Sequence, residues 1–498
     1  MIMRYRDLAA RVYDDEIRFP AFLPNSQRAE GTDGILVNVY KIWTDKDYRR
    51  IVRKNVKGYT GHDGFILPES GWQQINKYED DVTNEEIVET QKEMGFEIVA
   101  PLAASKIRDA ILNARIAWDE TQKPLFLEIP QHWTEKEVQT FVKETKNWAW
   151  GYGTKGDDID KLLFIVKTIP RRAKLHVFGI HHPAVIPVLA AAGVDSFSSG
   201  AFSRYAEQWL YITEASIVPI SRMDELPCSC QSCANKSPKE LDYNALRQHN
   251  LDQFVVEIKR TRNAAKEGRL YEYAKRRALT HPRLWNAFQK VIHSEWVLEN
   301  QPFPKQSSIY DFGDVEKRPE YKIGLEKARK ARVDPKDLAY AYPFGQTYPE
   351  HIKERPEPEK FVHAVLKYFW GLELDKVDWK ERHGIPRDVF WKGERIGLIR
   401  YEDGTFIPTI KGAKIIVEKT EAPKNRIVLN EAGVQRLRDD KTPLTTNAVD
   451  WDPELRPYQE IILVDENDRV VGTGKSMVTA REMREVVCPV VKLRHRVK

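Results

Sequence analysis

Leu175-His176-Val177-Phe178-Gly179-Ile180 decides how this chain is read, together with the residues just beyond it. The run has the β-branched and aromatic character of a strand. A helix-like run, Pro187 to Ala192, comes next, and then a second strand-like run, Val194-Asp195-Ser196-Phe197-Ser198. Strand, helix, strand in so few residues implies parallel strands joined by a crossover helix. About thirty residues later comes Cys228-Ser229-Cys230-Gln231-Ser232-Cys233, with His249 sixteen residues beyond it. Three of the four cysteines in 498 residues lie in that window.

Upstream, the same alternation repeats. β-like runs fall at 19–24, 34–40, 64–69, 97–102, 124–130 and 149–153, which with 175–180 and 195–200 makes eight. Amphipathic runs at 84–94, 106–118 and 134–145 lie between them. Eight such units predict an α/β fold of the (β/α)₈ type, with functional groups at the C-terminal ends of the strands. A doubly wound open sheet is the alternative.

The cysteine cluster predicts a metal site. Zn²⁺ takes thiolate and imidazole ligands in tetrahedral geometry. Cys228, Cys230 and Cys233 with His249 would fill all four positions, so the zinc would be structural and not catalytic. His281 is the competing fourth ligand. Cys488 stands apart and reads as a small buried apolar residue. Four cysteines in a chain of this length do not make a disulfide scaffold.

Downstream the character changes. Residues 243–268 read as a helix, and 269–298 as a basic, aromatic helical stretch. Residues 301–330 read as a linker, 331–422 as a small α/β domain with a hairpin at Glu402-Asp403-Gly404, and 423–498 as a small β-barrel. The first domain then spans 1–300, with the metal-binding insert at about 221–268. Lys and Arg total 79 against 74 Asp and Glu, a net charge of +5 that permits a polyanionic partner without requiring one. No run of about 18 apolar residues exists and the N-terminus lacks an apolar signal core, so no membrane span and a cytoplasmic location are expected.

The cysteine cluster with His249-Asn250-Leu251 resembles the zinc subdomain of tRNA-guanine transglycosylases. So do His176-Val177-Phe178-Gly179 with Pro183, Gly193-Val194-Asp195-Ser196-Phe197, Arg18 to Pro24, Leu36 to Tyr40, and Gly64 to Gln73. The resemblance implies a (β/α)₈ barrel with the zinc insert after strand eight. The C-terminal half resembles the archaeal, archaeosine-type branch. Gly397 to Tyr401 and Thr409 to Ala413 resemble its joining domain, and residues 425–498 resemble a PUA domain, implying that the protein binds RNA. A Pro-Cys…Lys-Pro-Tyr motif associated with a paralogous branch is not found.

The resemblance also assigns roles. One carboxylate at the strand ends attacks C1′ of the target nucleotide, and a second helps with proton transfer and base recognition. The nucleophile position falls on Ser198, and the second carboxylate on Glu69. Asp195, the other acid of the strand-eight run, is a further catalytic candidate, but strand periodicity faces it away from Ser198, so it serves only if the strand is bulged. The base-contacting acids of strand four fall at Ala103-Ala104. Gln131, Gly151 and Gly153 match substrate-contacting positions. A serine needs an adjacent base to act as a nucleophile. His181 and His182 are the histidines that the sequence brings toward the strand ends. The implied function is modification of a 7-deazaguanine position in tRNA. The alternative is a non-catalytic tRNA-binding subunit paired with an active paralog. Partners would be tRNA and a second subunit, identical or paralogous, docked through the zinc region. The basic runs 259–262, 275–277 and 492–498 are candidate phosphate contacts.

Overall fold

A computed structural model describes residues 19–25, 32–51, 55–300, 318–346 and 356–497. The chain divides into two compact units, Met1–Trp296 and Val297–Lys498. Arg18, residues 301–317 of the expected linker, and Lys498 lie outside the described residues.

The first unit is built on short parallel strands: β1 (Ala21–Phe22), β2 (Gly34–Asn38), β3 (Phe65–Glu69), β4 (Leu125–Glu128), β5 (Ala149–Lys155), β6 (Lys174–Phe178) and β7 (Ser196–Phe197). Val99 adds a parallel bridge to Leu125 where the fourth β-like run is expected. One sheet runs β1-β7-β6-β5-β4, and β2 pairs with β3. Leu36 N donates to Pro24 O at 3.2 Å, joining β2 to the end of β1. An open doubly wound sheet would leave β3 and β4 at opposite edges. Instead they meet, since Ser70 Oγ donates to Glu128 Oε1 at 3.0 Å. One apolar cluster, formed by Phe19, Ala21, Leu23, Leu36, Leu67, Ile98, Ala100 and Phe126, draws on both sides of that junction. No ladder joins β3 to the Val99 segment among the described residues.

The connecting helices carry their own start signals. Asn84–Glu93 and Glu135–Thr145 each begin with a reciprocal capping box, Thr83 with Glu86 and Thr134 with Glu137. Their apolar faces, Ile87-Val88 and Val138-Phe141-Val142, are buried. After β7 the chain forms the helix Ala201–Glu207, a hairpin of Leu210–Ile212 with Ile217–Pro219, and the 24-residue helix Tyr243–Lys266.

In the second unit, the expected linker is corrected over its second half. Pro319–Ala331 is a helix with Pro at its first turn, and Ala328 joins the unit's main core. The polar composition of 299–330 reflects that helix's exposed face and not a lack of structure. Next comes an antiparallel meander: Val377–Arg382, Ile385–Trp391, Glu394–Ile399 and Phe406–Pro408. The expected turn is present, with Gly404 at φ +64° against the backbone of Tyr340, where a Cβ would come within 2.4 Å of the carbonyl oxygen. The last sheet has the order 448–451, 426–429, 460–465, 470–476, 491–496. Ile462, Val464 and Val470 from it share a core cluster with Phe361, Trp370 and Phe406, so the segments read as two domains are packed on common apolar residues. Cys488 is buried among Val434, Leu455 and Val490, as expected. No helix among the described residues is long and apolar enough to cross a membrane.

Candidate active site and metal centre

Glu69 is the last residue of β3 and pairs in register with Asn38 at the end of β2. Asn38 Nδ2 donates to Glu69 Oε1 at 3.0 Å. Burial pushes the Glu69 carboxyl up, while the Asn38 hydrogen bond and the Lys41 charge pull it down. Within electrostatic reach of it is Glu128, the last residue of β4, which no sequence expectation singled out. Alternation along Leu125-Phe126-Leu127-Glu128 puts Glu128 on the face of Phe126, which points into the interior cluster. Its Oε1 accepts from Ser70 Oγ at 3.0 Å and from Ser70 N at 3.4 Å. Burial, then the neighbouring Glu69 charge, push the Glu128 carboxyl up to about 7. The signal was present in the sequence: Glu128 is a lone charge at the end of an otherwise apolar strand, on its inward parity.

Ser198 has a different setting. It is 1% exposed. Its Oγ lies 3.0 Å from His176 Nε2, and His176 Nδ1 lies 2.8 Å from Ser196 Oγ. His176 is therefore the histidine beside Ser198, a correction to the expectation that His181 and His182 are the ones within reach. His181 meets Arg204, and His182 Nδ1 accepts from Ala184 N at 3.1 Å within its own turn. The reason is strand register: His176 pairs with Ser196, and residues 176, 196 and 198 share one face. Complete burial lowers His176 to about 3, so the ring is neutral and donates to one serine while accepting from the other. It sits edge-on to Phe126 and Phe178. No carboxylate orients it, so a Ser-His-acid relay is not assembled among the described residues. Ser199 Oγ donates to Ile180 O at 2.6 Å. Asp195 faces the other way, as strand periodicity requires, and its Oδ2 accepts from Leu175 N at 2.7 Å. The structure thus separates Asp195 from Ser198 and Glu69.

Gln131 lies three residues beyond Glu128. Its backbone carbonyl accepts from Lys161 Nζ. Its Nε2 is shielded from solvent and has no hydrogen-bond partner among the described residues, leaving a free donor. Gly151 and Gly153 are both accounted for by strand packing. A Cβ on Gly151 would come within 2.8 Å of Lys174 O, and one on Gly153 within 2.5 Å of the Phe178 ring and 2.6 Å of Phe126.

The metal cluster is assembled as expected. Ligand atoms of Cys228, Cys230, Cys233 and His249 all lie within 4.8 Å of one another. His249 Nδ1 is 3.3 Å from Cys233 Sγ and 3.6 Å from Cys230 Sγ. The far nitrogen, Nε2, donates to Ile212 O at 2.9 Å, which leaves the Nδ1 lone pair aimed at the sulfurs. Tyr211 stacks on the imidazole with centroids 3.8 Å apart. Burial, then Cys233 and Cys228, push the Cys230 thiol up to about 12, so without a cation the cluster holds protons. A divalent cation would deprotonate all three thiols, and the donor set fits a closed thiolate-imidazole site. His281 is excluded as the fourth ligand, because it is the exposed cap of helix Pro282–Ile292 and accepts from Arg283 N.

The basic runs are largely engaged within the protein. Arg262 bonds Pro20 O and Asp33, Arg277 bonds Glu257 at 2.8 Å, Arg494 grips Glu460 with two bonds, and Arg496 pairs with Asp440. Lys259, Arg276 and Lys492 remain exposed.

Comparison with known proteins bears on both centres. Residues 151–283 match the model of the family described as queuine tRNA-ribosyltransferase, a span that holds His176, Ser198 and the whole metal cluster. Residues 371–423 match the patch-forming domain C2 of tRNA-guanine transglycosylase. The chain is 28% identical to tRNA-guanine(15) transglycosylase of Korarchaeum cryptofilum, over 94% of its own length and 89% of the relative's. It is 26% identical to the protein of that name in Thermococcus kodakarensis, over 93% and 90%, and 27% identical to that of Pyrococcus furiosus, over 92% and 88%. Across more than nine-tenths of its length, this chain is thus similar to tRNA-guanine(15) transglycosylases, and two of its segments match the corresponding family models.

Proposed function

We propose that this protein binds tRNA and exchanges a guanine-type base at the position its relatives' name denotes, as a step toward a 7-deazaguanine nucleoside of the archaeosine type. Its first unit is read as a (β/α)₈ barrel carrying a structural zinc at Cys228, Cys230, Cys233 and His249, and residues 423–498 as a PUA-type RNA-binding domain. The observation that carries the reading is Glu69: a half-buried carboxylate at the C-terminal end of a parallel strand, held by Asn38 with one oxygen unclaimed by that bond. A carboxylate can displace a nucleobase from C1′ and later be displaced by another. Gln131 Nε2, a buried donor with no partner among the described residues, would suit a base carbonyl. The zinc, when bound, supplies folding energy and no chemistry, since its four ligands leave no open position.

The second reading is a non-catalytic tRNA-binding subunit that pairs with an active paralog through the zinc region. The observation favouring it is that segment 195–199 presents no acid to the site. Incubating the purified protein with tRNA and radiolabelled guanine separates the two. Incorporation by the protein alone supports exchange, whereas tight tRNA binding without incorporation, restored only by a paralog, supports the subunit.

A further inference from the structure

The two halves of the site differ in what they offer. Segment 195–199 is occupied with its own packing. Ser198 is sealed against His176, Ser199 caps the turn through Ile180 O and Ala201 N, and Asp195 is spent on Leu175 N from the opposite face of the strand. None of these groups can reach a sugar without dismantling β6 and β7. The β3–β4 side holds two half-buried carboxylates within electrostatic reach of each other, each at a strand end and each with one oxygen held.

We propose that Glu128 is the second catalytic carboxylate of this protein, moving the proton to and from the base while Glu69 attacks the sugar, so that the reaction runs across β3 and β4 and needs no acid at position 198. This rests on the base-exchange reading above.

The asymmetry of their surroundings assigns the roles. Burial raises the Glu69 carboxyl, but Asn38 donates to it and Lys41 lends it positive charge, so its anion has support that the Glu128 anion lacks. Among the described residues Glu128 accepts from the Ser70 hydroxyl and amide, and the Glu69 charge acts against its ionisation. Two carboxylates whose environments separate them this way divide into a nucleophile and an acid. In the first half, a Glu69 oxygen forms a bond to C1′ and the C1′–N bond breaks. Its electron pair goes to the departing base, which takes the proton from Glu128. In the second half, the Glu128 carboxylate removes a ring N–H proton from the incoming base, whose nitrogen bonds C1′. The C1′–O bond breaks, and its electrons return to Glu69. No redox partner is required. Placing both acids on adjacent segments explains how the site could tolerate serine where an acid is otherwise demanded.

The test uses the full chain with tRNA and radiolabelled guanine across pH 5.5 to 9, on wild type, Glu128→Gln, Glu69→Gln and Ser198→Ala. Glu128→Gln keeps the shape and the Ser70 bond. It is expected to slow exchange by at least about 100-fold while leaving tRNA affinity, by filter binding, within about threefold. It should also erase the alkaline limb of the wild-type pH–rate profile. Glu69→Gln should abolish an alkali-labile protein–tRNA adduct visible on denaturing gels, whereas Glu128→Gln should still form it slowly. The proposal is overturned if Glu128→Gln exchanges within about threefold of wild type, or if Ser198→Ala loses as much as Glu128→Gln with its fold intact. Wild-type protein that binds tRNA but exchanges nothing defeats the base-exchange reading itself. Wild-type exchange with an indifferent Glu128 defeats only the assignment of Glu128.

Discussion

Replacing Glu128 with Gln should stabilise the protein in a way that grows with pH. An unfolded glutamate titrates near 4.5, and in the fold Glu128 titrates at about 7. Between those values the native state holds a proton that the unfolded state has lost, so the wild type loses stability as pH rises, at about 1.4 kcal/mol per pH unit. Below 4.5 both states are protonated and the contribution is fully present; it is gone once pH passes 7. The interval amounts to about 3 kcal/mol. Gln cannot ionise and escapes this loss, while its amide oxygen can still accept from Ser70. Glu69 is the charge that adds to burial in raising Glu128, and the Ser70 hydroxyl and amide offset only part of that rise. Denaturant unfolding of wild type and Glu128→Gln at pH 5, 6, 7 and 8, followed by tryptophan fluorescence and circular dichroism, measures the difference. The variant should match wild type within about 1 kcal/mol at pH 5 and exceed it by about 3 kcal/mol at pH 8. A difference that is flat with pH, or that shrinks as pH rises, would falsify the picture of a carboxyl buried against a second acid.

The other expectations come from packing and ligation. Purified protein should carry about one zinc per chain by elemental analysis, and Cys230→Ala should lose it with about 5 kcal/mol or more of local stability; a metal-free preparation with unchanged melting would count against the site. Gly153→Ala should destabilise by about 1–3 kcal/mol in thermal unfolding, because its Cβ enters the Phe126–Phe178 contact; a neutral result would mean the rings yield freely. Arg277→Ala should destabilise by about 3–5 kcal/mol by removing the cation bonded to buried Glu257, and the salt slope of tRNA binding should not change; a shallower slope would make Arg277 a phosphate contact.

The strand ladder was legible because buried parallel strands read as short apolar runs at regular spacing: seven of the eight expected runs hold a strand, and the fourth, 97–102, holds only the single bridge at Val99. The metal cluster was legible because its ligands are local in sequence and chemically unambiguous. What escaped was long-range pairing of polar groups. That His176 lies under Ser198 depends on the register of β6 on β7, which hydrophobic pattern alone does not fix. That Glu128 meets Glu69 depends on β3 approaching β4, two segments 58 residues apart at Ser70 and Glu128. The basic runs misled for a related reason. A lysine or arginine in a sequence carries no sign of the carboxylate that will meet it, and Arg262, Arg277, Arg494 and Arg496 each find one at long range. The helix Pro319–Ala331 was missed because its buried stripe is narrow and its start is marked by proline, which also marks linkers.

The helix Tyr243–Lys266 ties the two centres together mechanically. Near its start it carries His249, in its middle Phe254 stacks on Phe22 of β1 with centroids 4.8 Å apart, and near its end Arg262 holds Pro20 O. At 24 residues it is a rod about 36 Å long, which a cation in the cluster would clamp near one end and which is riveted at two points to β1 and the residue before it, beside β7. Removing a metal bound there would free one clamp of that rod. Amide exchange should then quicken along β1 and β7 before it quickens along β4, so the occupancy of a chemically silent ion would be read out as the stiffness of the site's far wall.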